Sequence, residues 1–487
     1  MPSSPSSPPP AAAAEQLAQA SAVRGWLASH AGDYLARLQA LVRVPSVSAD
    51  PARQADMRTA AGLVAAELRD AGLADVEVAA TGGHPVVLAA RRDAGPGRPT
   101  VLFYLHYDVQ PEGDPALWSV PPYAAVIRGD ALIGRGAADD KGPILMLCAA
   151  LRGLAECGAG LPVNVVVLVD GEEESGSPSL PAFLAGRAAD LTADLVAISD
   201  TSMLGLDRPS LVLATRGTAG LEVELRTLDY DVHSGKFGGG VANAALLLAE
   251  LVAALHDADG RVAVPGFYGR VREVDEATLA ALAASRPPEQ DWLREVGARS
   301  EAGERGLSLH RRVWTRPSLD VIGTWSGYTG PGMKTIIPAT ATAKISCRLV
   351  ADQDPAEIAG LVAAHLRTLA AGRADLTISV SKVSRPVVCA PDSPAAAAAM
   401  TAYEWGYGTR PALIREGGSI PIAATLADQI GPVLFLGFGL HGQREHAPDE
   451  WLSVTNFQRA ANAIAMFLLT AADLPLAAGT AAAQEPA

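Results

Sequence analysis

Apolar residues recur at helical spacing from Trp26 to Val42 and again from Asp56 to Ala71, where Gly72 supplies a stop, so both stretches are expected to be helices. Beyond them the pattern shortens. Val76 to Ala80 and Val86 to Arg91 read as short strands, and Thr100 to Leu105 is almost wholly apolar, as a strand covered on both faces should be. It runs straight into His106-Tyr107-Asp108. The arrangement recurs: Val163 to Val169 leads into Asp170-Gly171-Glu172-Glu173-Glu174-Ser175-Gly176, Leu195 to Ser199 into Asp200, and Pro432 to Leu436 into a loop holding His441 and His446. Helical segments separate these strands. The pattern predicts an α/β fold, a mostly parallel sheet with helices on both faces, whose ligands sit in the crevice at the carboxyl ends of the strands.

Gly134 to Gly142, GRGAADDKG, precedes the apolar helical run Pro143 to Leu154. Its adjacent carboxylates, Asp139 and Asp140, repel one another unless a cation, a metal or hydrogen bonds offset them. This stretch alone leaves open whether Asp139 bridges two metals or the aspartates cap the following helix. Clusters of His, Asp and Glu at four equivalent strand ends weigh toward a metal site. Carboxylate and imidazole ligands without cysteine suit Zn²⁺, Mn²⁺ or Co²⁺. The three consecutive glutamates, Glu172 to Glu174, fit a division of labour in which one binds metal while a neighbour handles protons.

The chain has 487 residues, 49% of them hydrophobic, which is more than one typical domain needs. The expected organisation is a disordered tail over 1–20, a metal domain in two parts over 21–213 and 386–473, a second domain over 214–385, and a disordered tail over 474–487. The second domain carries strand patterns at Gly220 to Thr227 and Ala341 to Leu349 and helices at Ala242 to Leu255 and Pro355 to Ala371, an inserted α+β unit. A net charge of -14 argues against nucleic-acid or anionic-membrane partners, which reward basic patches. No apolar run reaches the length of a membrane helix, about 18 residues. Cys148, Cys157, Cys347 and Cys389 form no CxxC pair and read as reduced thiols of a cytoplasmic protein. The glycine-rich KFGGG at 236–240 lacks the strand and GK[ST] of a phosphate loop.

Taken together, HYD at 106–108, GRGAADDKG at 134–142, EEESGS at 172–177, ISD at 198–200, DVHSGKFGG at 231–239 and REGGSIP at 415–421 resemble the M20 metallopeptidases, and among them the carnosinase-like cytosolic dipeptidases. The resemblance implies two divalent ions per subunit, zinc with manganese or cobalt as alternatives. His106, Asp139 and Asp200 would hold one ion; Asp139, Glu174 and His446 would hold the other. It implies that Asp108 orients His106, that Glu173 is the general base, and that a cis peptide follows Asp139. In the inserted domain, a lid that also dimerises in the family, it implies that His233 reaches the partner subunit's site to polarise the scissile carbonyl. Arg348, Thr335 and the turn of Gly418 and Ser419 would bind the substrate's terminal carboxylate. His441 would support its loop rather than bind metal.

The expected function is therefore metal-dependent hydrolysis of a small peptide by a cytoplasmic homodimer. The alternatives are an N-acyl-amino-acid deacylase or other amidohydrolase on the same scaffold, and a catalytically silent peptide-binding relative. The middle segment from Arg261 to Trp325 resembles the dipeptidases more than the shorter deacylases.

Overall fold

Wholly apolar strands find cover on both faces. In the computed structural model, which describes residues 10–95, 97–158, 160–285 and 288–476, Thr100–His106 and Asn164–Asp170 are buried along their full length. They lie at the centre of an eight-stranded sheet in the order Asp75–Ala79, Val86–Arg91, Asn164–Asp170, Thr100–His106, Leu195–Ile198, Val433–Phe435, Ser210–Val212, Ala412–Ile414. The four strands from Asn164–Asp170 to Val433–Phe435 run parallel. Antiparallel pairs flank them on either side. Because His106 stands in register with Asp170, the residues that follow both strands emerge at one edge.

Helices Pro10–Val42, Lys141–Glu156, Pro394–Tyr407 and Val454–Thr470 pack together, and Phe103 of the central strand meets Phe467 edge-on at 6.4 Å. The first helix begins at Pro10, inside the stretch expected to be a tail. Its buried residues Ala20, Val23, Leu27, Tyr34, Leu38 and Leu41 keep the spacing of one helical face. Alanine is the best helix former, so the run after the prolines continues that helix outward. Of the tails expected over 1–20 and 474–487, residues 1–9 and 477–487 lie outside the described residues. The helix ends where the buried Lys141 Nζ donates to the carbonyls of Leu41, at 3.2 Å, and Val44, at 2.7 Å, an amine capping a helix C-terminus.

The chain divides into two units, one formed by Met1–Leu213, Cys389–Leu413 and Thr425–Ala487, the other by Ala214–Val388 and Ile414–Ala424. In the second unit a four-stranded antiparallel sheet, ordered Ser318–Ser326, Thr340–Leu349, Gly217–Arg226, Asp375–Ser384, carries helices Ala244–Ala253 and Pro355–Ala370. Alternation from Leu221 to Arg226 and along Thr340–Leu349 turns Leu221, Val223, Leu225, Ala343, Ile345 and Cys347 inward. Ile414–Ala424, expected with the metal domain, joins this unit because Glu416 N–H donates to Ala214 O and Arg216 N–H to Gly418 O. Among the described residues no helix is long and apolar enough to cross a membrane.

Candidate active site

At the edge where His106 ends its strand, both ring nitrogens face acceptors: Nδ1 lies 3.0 Å from the Asp108 carbonyl and Nε2 2.9 Å from Asp139 Oδ1. The other carboxylate oxygen of Asp139 lies 3.0 Å from His446 Nε2. One aspartate thus separates two imidazoles contributed from opposite ends of the chain. The Asp139–Asp140 peptide is cis, and Asp140 accepts from His106 N–H at 3.2 Å. His446 has φ of 61°, in the left-handed region where a residue with a Cβ is uncommon, so the loop holds its ring in a disfavoured backbone state.

The loop carrying Asp139 is organised by a residue that sequence reading passed over. Glu450 is fully buried and collects Gly136 N–H at 3.0 Å, Ala138 N–H at 3.0 Å, Asp139 N–H at 3.2 Å and Arg135 Nη1 at 2.8 Å. Its signal in the sequence was its place four residues after His446, at the end of EHAPDE at 445–450. A small antiparallel sheet of Val126–Arg128, Ala131–Ile133 and Trp451–Ser453 delivers it there, with Gly134 N–H donating to Glu450 O. Burial, and behind it Asp139, pushes Glu450 up to about 7 against the pull of Arg135 and the amides.

The three glutamates separate by role. Glu172 turns away, accepting from His84 N–H at 3.1 Å and Ser179 N–H at 3.2 Å, and a Cβ at Gly83 would stand 1.8 Å from its Oε1. A larger residue there would displace the Glu172 carboxylate. Glu173 and Glu174 form a single turn whose N–H groups both donate, at 3.1 Å, to the two oxygens of the buried Asp108 carboxylate. Asp108 therefore meets His106 chiefly through its carbonyl, its carboxylate lying 3.4 Å from Nδ1 while it holds this turn. Asp170 braces the turn from below, accepting from Gly171 N–H, Glu172 N–H, Ser177 Oγ and Tyr104 Oη.

Two groups of ligand atoms result, each within 4.8 Å: His106, Glu173 and Asp200, and Asp139, Glu174 and His446. Glu173 stands in the first, where Asp139 was expected, and Asp139 touches that group through His106. The donors are imidazole nitrogens and carboxylate oxygens throughout, which fits borderline divalent ions. The electrostatics fit as well. Burial, then Asp139, pushes Asp200 up to about 7; burial and Asp200 push Glu173 well above the carboxylate range. His446, hydrogen-bonded to Asp139 and Glu174, rises to about 10. Burial works against a charged His106, yet Asp108 and Asp139 outweigh it and hold its pKa well above the ordinary value. Crowded acids that retain protons and imidazoles that acquire them mark a site short of positive charge.

Arg348, Gly418, Ser419, His233 and Thr335 lie in the second unit. Arg348 Nη1 donates to Thr218 Oγ1 at 3.1 Å and Ser419 Oγ at 3.2 Å, with Gly418 exposed beside them. His233 and Thr335 are exposed and adjacent: His233 pairs with Ile336 across a short bridge, and Ser234 N–H donates to Thr335 O. Nδ1 of His233 accepts from Gly235 N–H at 2.9 Å. His441 N–H donates to Met203 O and thereby fastens its own loop.

Histidines and carboxylates gathered at the carboxyl edge of a parallel sheet, in a chain that also carries an inserted α+β unit, define a metal-dependent hydrolase. The chain belongs to peptidase family M20/M25/M40, whose model matches residues 102–470. It is 29% identical over 453 residues to a Cys-Gly metallodipeptidase of Candida albicans, covering 87% of this chain and 91% of that protein. The human Beta-Ala-His dipeptidase is 29% identical over 396 residues, covering 80% of this chain and 78% of that one. Among solved structures, an M20 family metallo-carboxypeptidase from Sulfolobus solfataricus aligns with a TM-score of 0.82 at 29% identity, covering 91% of this chain and 99% of that one.

Proposed function

We propose that this protein is a dipeptidase that binds two divalent cations and uses the Glu173 carboxylate to hydrolyse the amide bond of small peptides. The observation that carries the reading is the position of Asp139, one carboxylate oxygen toward His106 and the other toward His446. In this reading His106, Asp139 and Asp200 hold one ion and Asp139, Glu174 and His446 the other, zinc by preference, with manganese or cobalt as alternatives. Such ions supply Lewis acidity, acidifying water and stabilising an oxyanion. Glu173 takes the proton of the attacking water and returns it to the leaving amine, a role for which a carboxyl shifted upward by burial is suited. Asp108, gripping the N–H groups of Glu173 and Glu174, keeps the base and its neighbour in fixed relation.

Arg348 and Ser419, with Gly418 N–H and the Thr335 hydroxyl, take the substrate's terminal carboxylate, a group that a guanidinium fork matches. His233 polarises the scissile carbonyl from across a homodimer. The exposed Ile322, Trp325, Val380 and Val383 of the second unit support an association surface. The unpaired thiols of all four cysteines support a cytoplasmic location.

Glu173→Ala tests the central role. Turnover on a dipeptide panel should fall by about 10²–10⁴-fold while two ions per chain remain bound. Loss of one ion instead would favour Glu173 as a ligand beside His106 and Asp200, the arrangement its position in that cluster suggests. Cleavage of N-acetyl amino acids with no dipeptide turnover would replace the dipeptidase reading by a deacylase. Mixing inactive His233→Ala and Glu173→Ala proteins should restore activity if the dimer shares its sites.

A further inference from the structure

We propose that Gln110 is a positioning residue that sets the affinity of the cation site formed by Asp139, Glu174 and His446. The inference rests on the two-cation reading above. Glu174 is held at three points by one short stretch of chain. Asp108 Oδ2 accepts its N–H at 3.1 Å, Gln110 Nε2 donates to its carbonyl at 3.2 Å, and the same Nε2 donates to its carboxylate Oε2 at 2.8 Å. An amide that grips both the main-chain and the side-chain oxygen of one glutamate fixes every torsion between them.

The carboxylate is consequently presented in one orientation, its side chain only 5% exposed, with Oε2 lying 3.2 Å from His446 Nε2. Gln110 is neutral, so it orders Glu174 without competing for the ion's charge. Residues that orient metal ligands in this way change metal affinity by about 10–100-fold. His106, at the start of the same stretch, belongs to the other group of ligands, and its ring nitrogens face the Asp108 carbonyl and Asp139 Oδ1. The effect of Gln110 therefore falls chiefly on the site that Glu174 serves.

Titration of ion-free protein with Mn²⁺ in a calorimeter tests this, with Glu174→Gln marking which of two binding steps belongs to that site. Gln110→Met, which keeps length and loses the donor, should weaken that step by about 10–100-fold and leave the other unchanged. Gln110→Asn, whose amide falls one methylene short, should do the same. Dipeptide turnover of both variants should return toward wild type at high Mn²⁺, a recovery that a merely structural defect would not give. Unchanged isotherms in both variants, or equal weakening of both steps, overturn the inference. A wild-type protein that binds a single ion, or a Glu174→Gln protein that keeps both steps, overturns the two-cation reading and this inference with it.

Discussion

Asp139 meets an imidazole at each of its oxygens, and in the ion-free protein these contacts, with Asp108 at His106 and Glu174 at His446, raise the pKa of both rings. Ions require neutral imidazole, so loading the site must expel protons. The sign follows from the raised pKa of His446. Its contribution to the stability of the ion-free protein is complete below its unfolded pKa of about 6.5 and is lost as pH climbs through about 10. Ion uptake at pH 8 should therefore release protons, measurable as a buffer-dependent binding heat, and affinity should fall as the pH is lowered. A binding heat identical in buffers of different ionisation enthalpy would contradict this. Glu450 makes a second prediction at the same scale. Replacing Glu450 by Gln turns an acceptor of four donors into a partial donor and strands Arg135, so unfolding by denaturant should show a loss of about 3–5 kcal/mol.

Elements decide which of these side chains meet. The strands ending at His106 and Asp170 share a register, and the three-stranded sheet pairs Trp451–Ser453 with Ala131–Ile133, drawing the His446 loop onto the Asp139 loop. Helix Lys141–Glu156 starts directly after Asp140, and its approach depends on Gly142, where a Cβ would stand 2.5 Å from Ala137 O and 2.9 Å from Leu452 Cδ2. Gly142→Ala should cost about 1–3 kcal/mol in denaturant unfolding, since one of the contacts is to backbone that cannot yield. The loss should come with weaker ion binding, because the same loop carries Asp139. Wild-type ion affinity in a destabilised Gly142→Ala protein would show that the helix start and the site are not coupled.

At the scale of the molecule, two cores lie in two units, and the ligand groups fall in one of them. Binding stabilises only the native state that binds, by about 2.7 kcal/mol when free ion stands at a hundred times its dissociation constant. Calorimetric unfolding with and without chelator should move the transition of the unit containing His106 and leave that of the Ala214–Val388 unit in place; equal shifts in both would tie the units into one cooperative system. The sequence by itself determined the parallel core, because strands such as Thr100–His106 are apolar on both faces, and it marked the candidate ligands His106, Glu174, Asp200 and His446, because their clusters follow strand ends, while Asp139, ahead of a helix, was marked by its motif. It also marked Arg348 and Ser419 by motif, though only folding assigned Ile414–Ala424 to the second unit. What tertiary structure alone decided was the holding of those residues: Glu450 beneath Asp139, Asp108 on the Glu173–Glu174 turn, Gln110 on Glu174, Lys141 at the end of the first helix. Periodicity and local motif report burial and neighbours along the chain, whereas these hydrogen bonds join positions as much as 312 residues apart and depend on register and backbone direction, which a one-dimensional pattern does not encode.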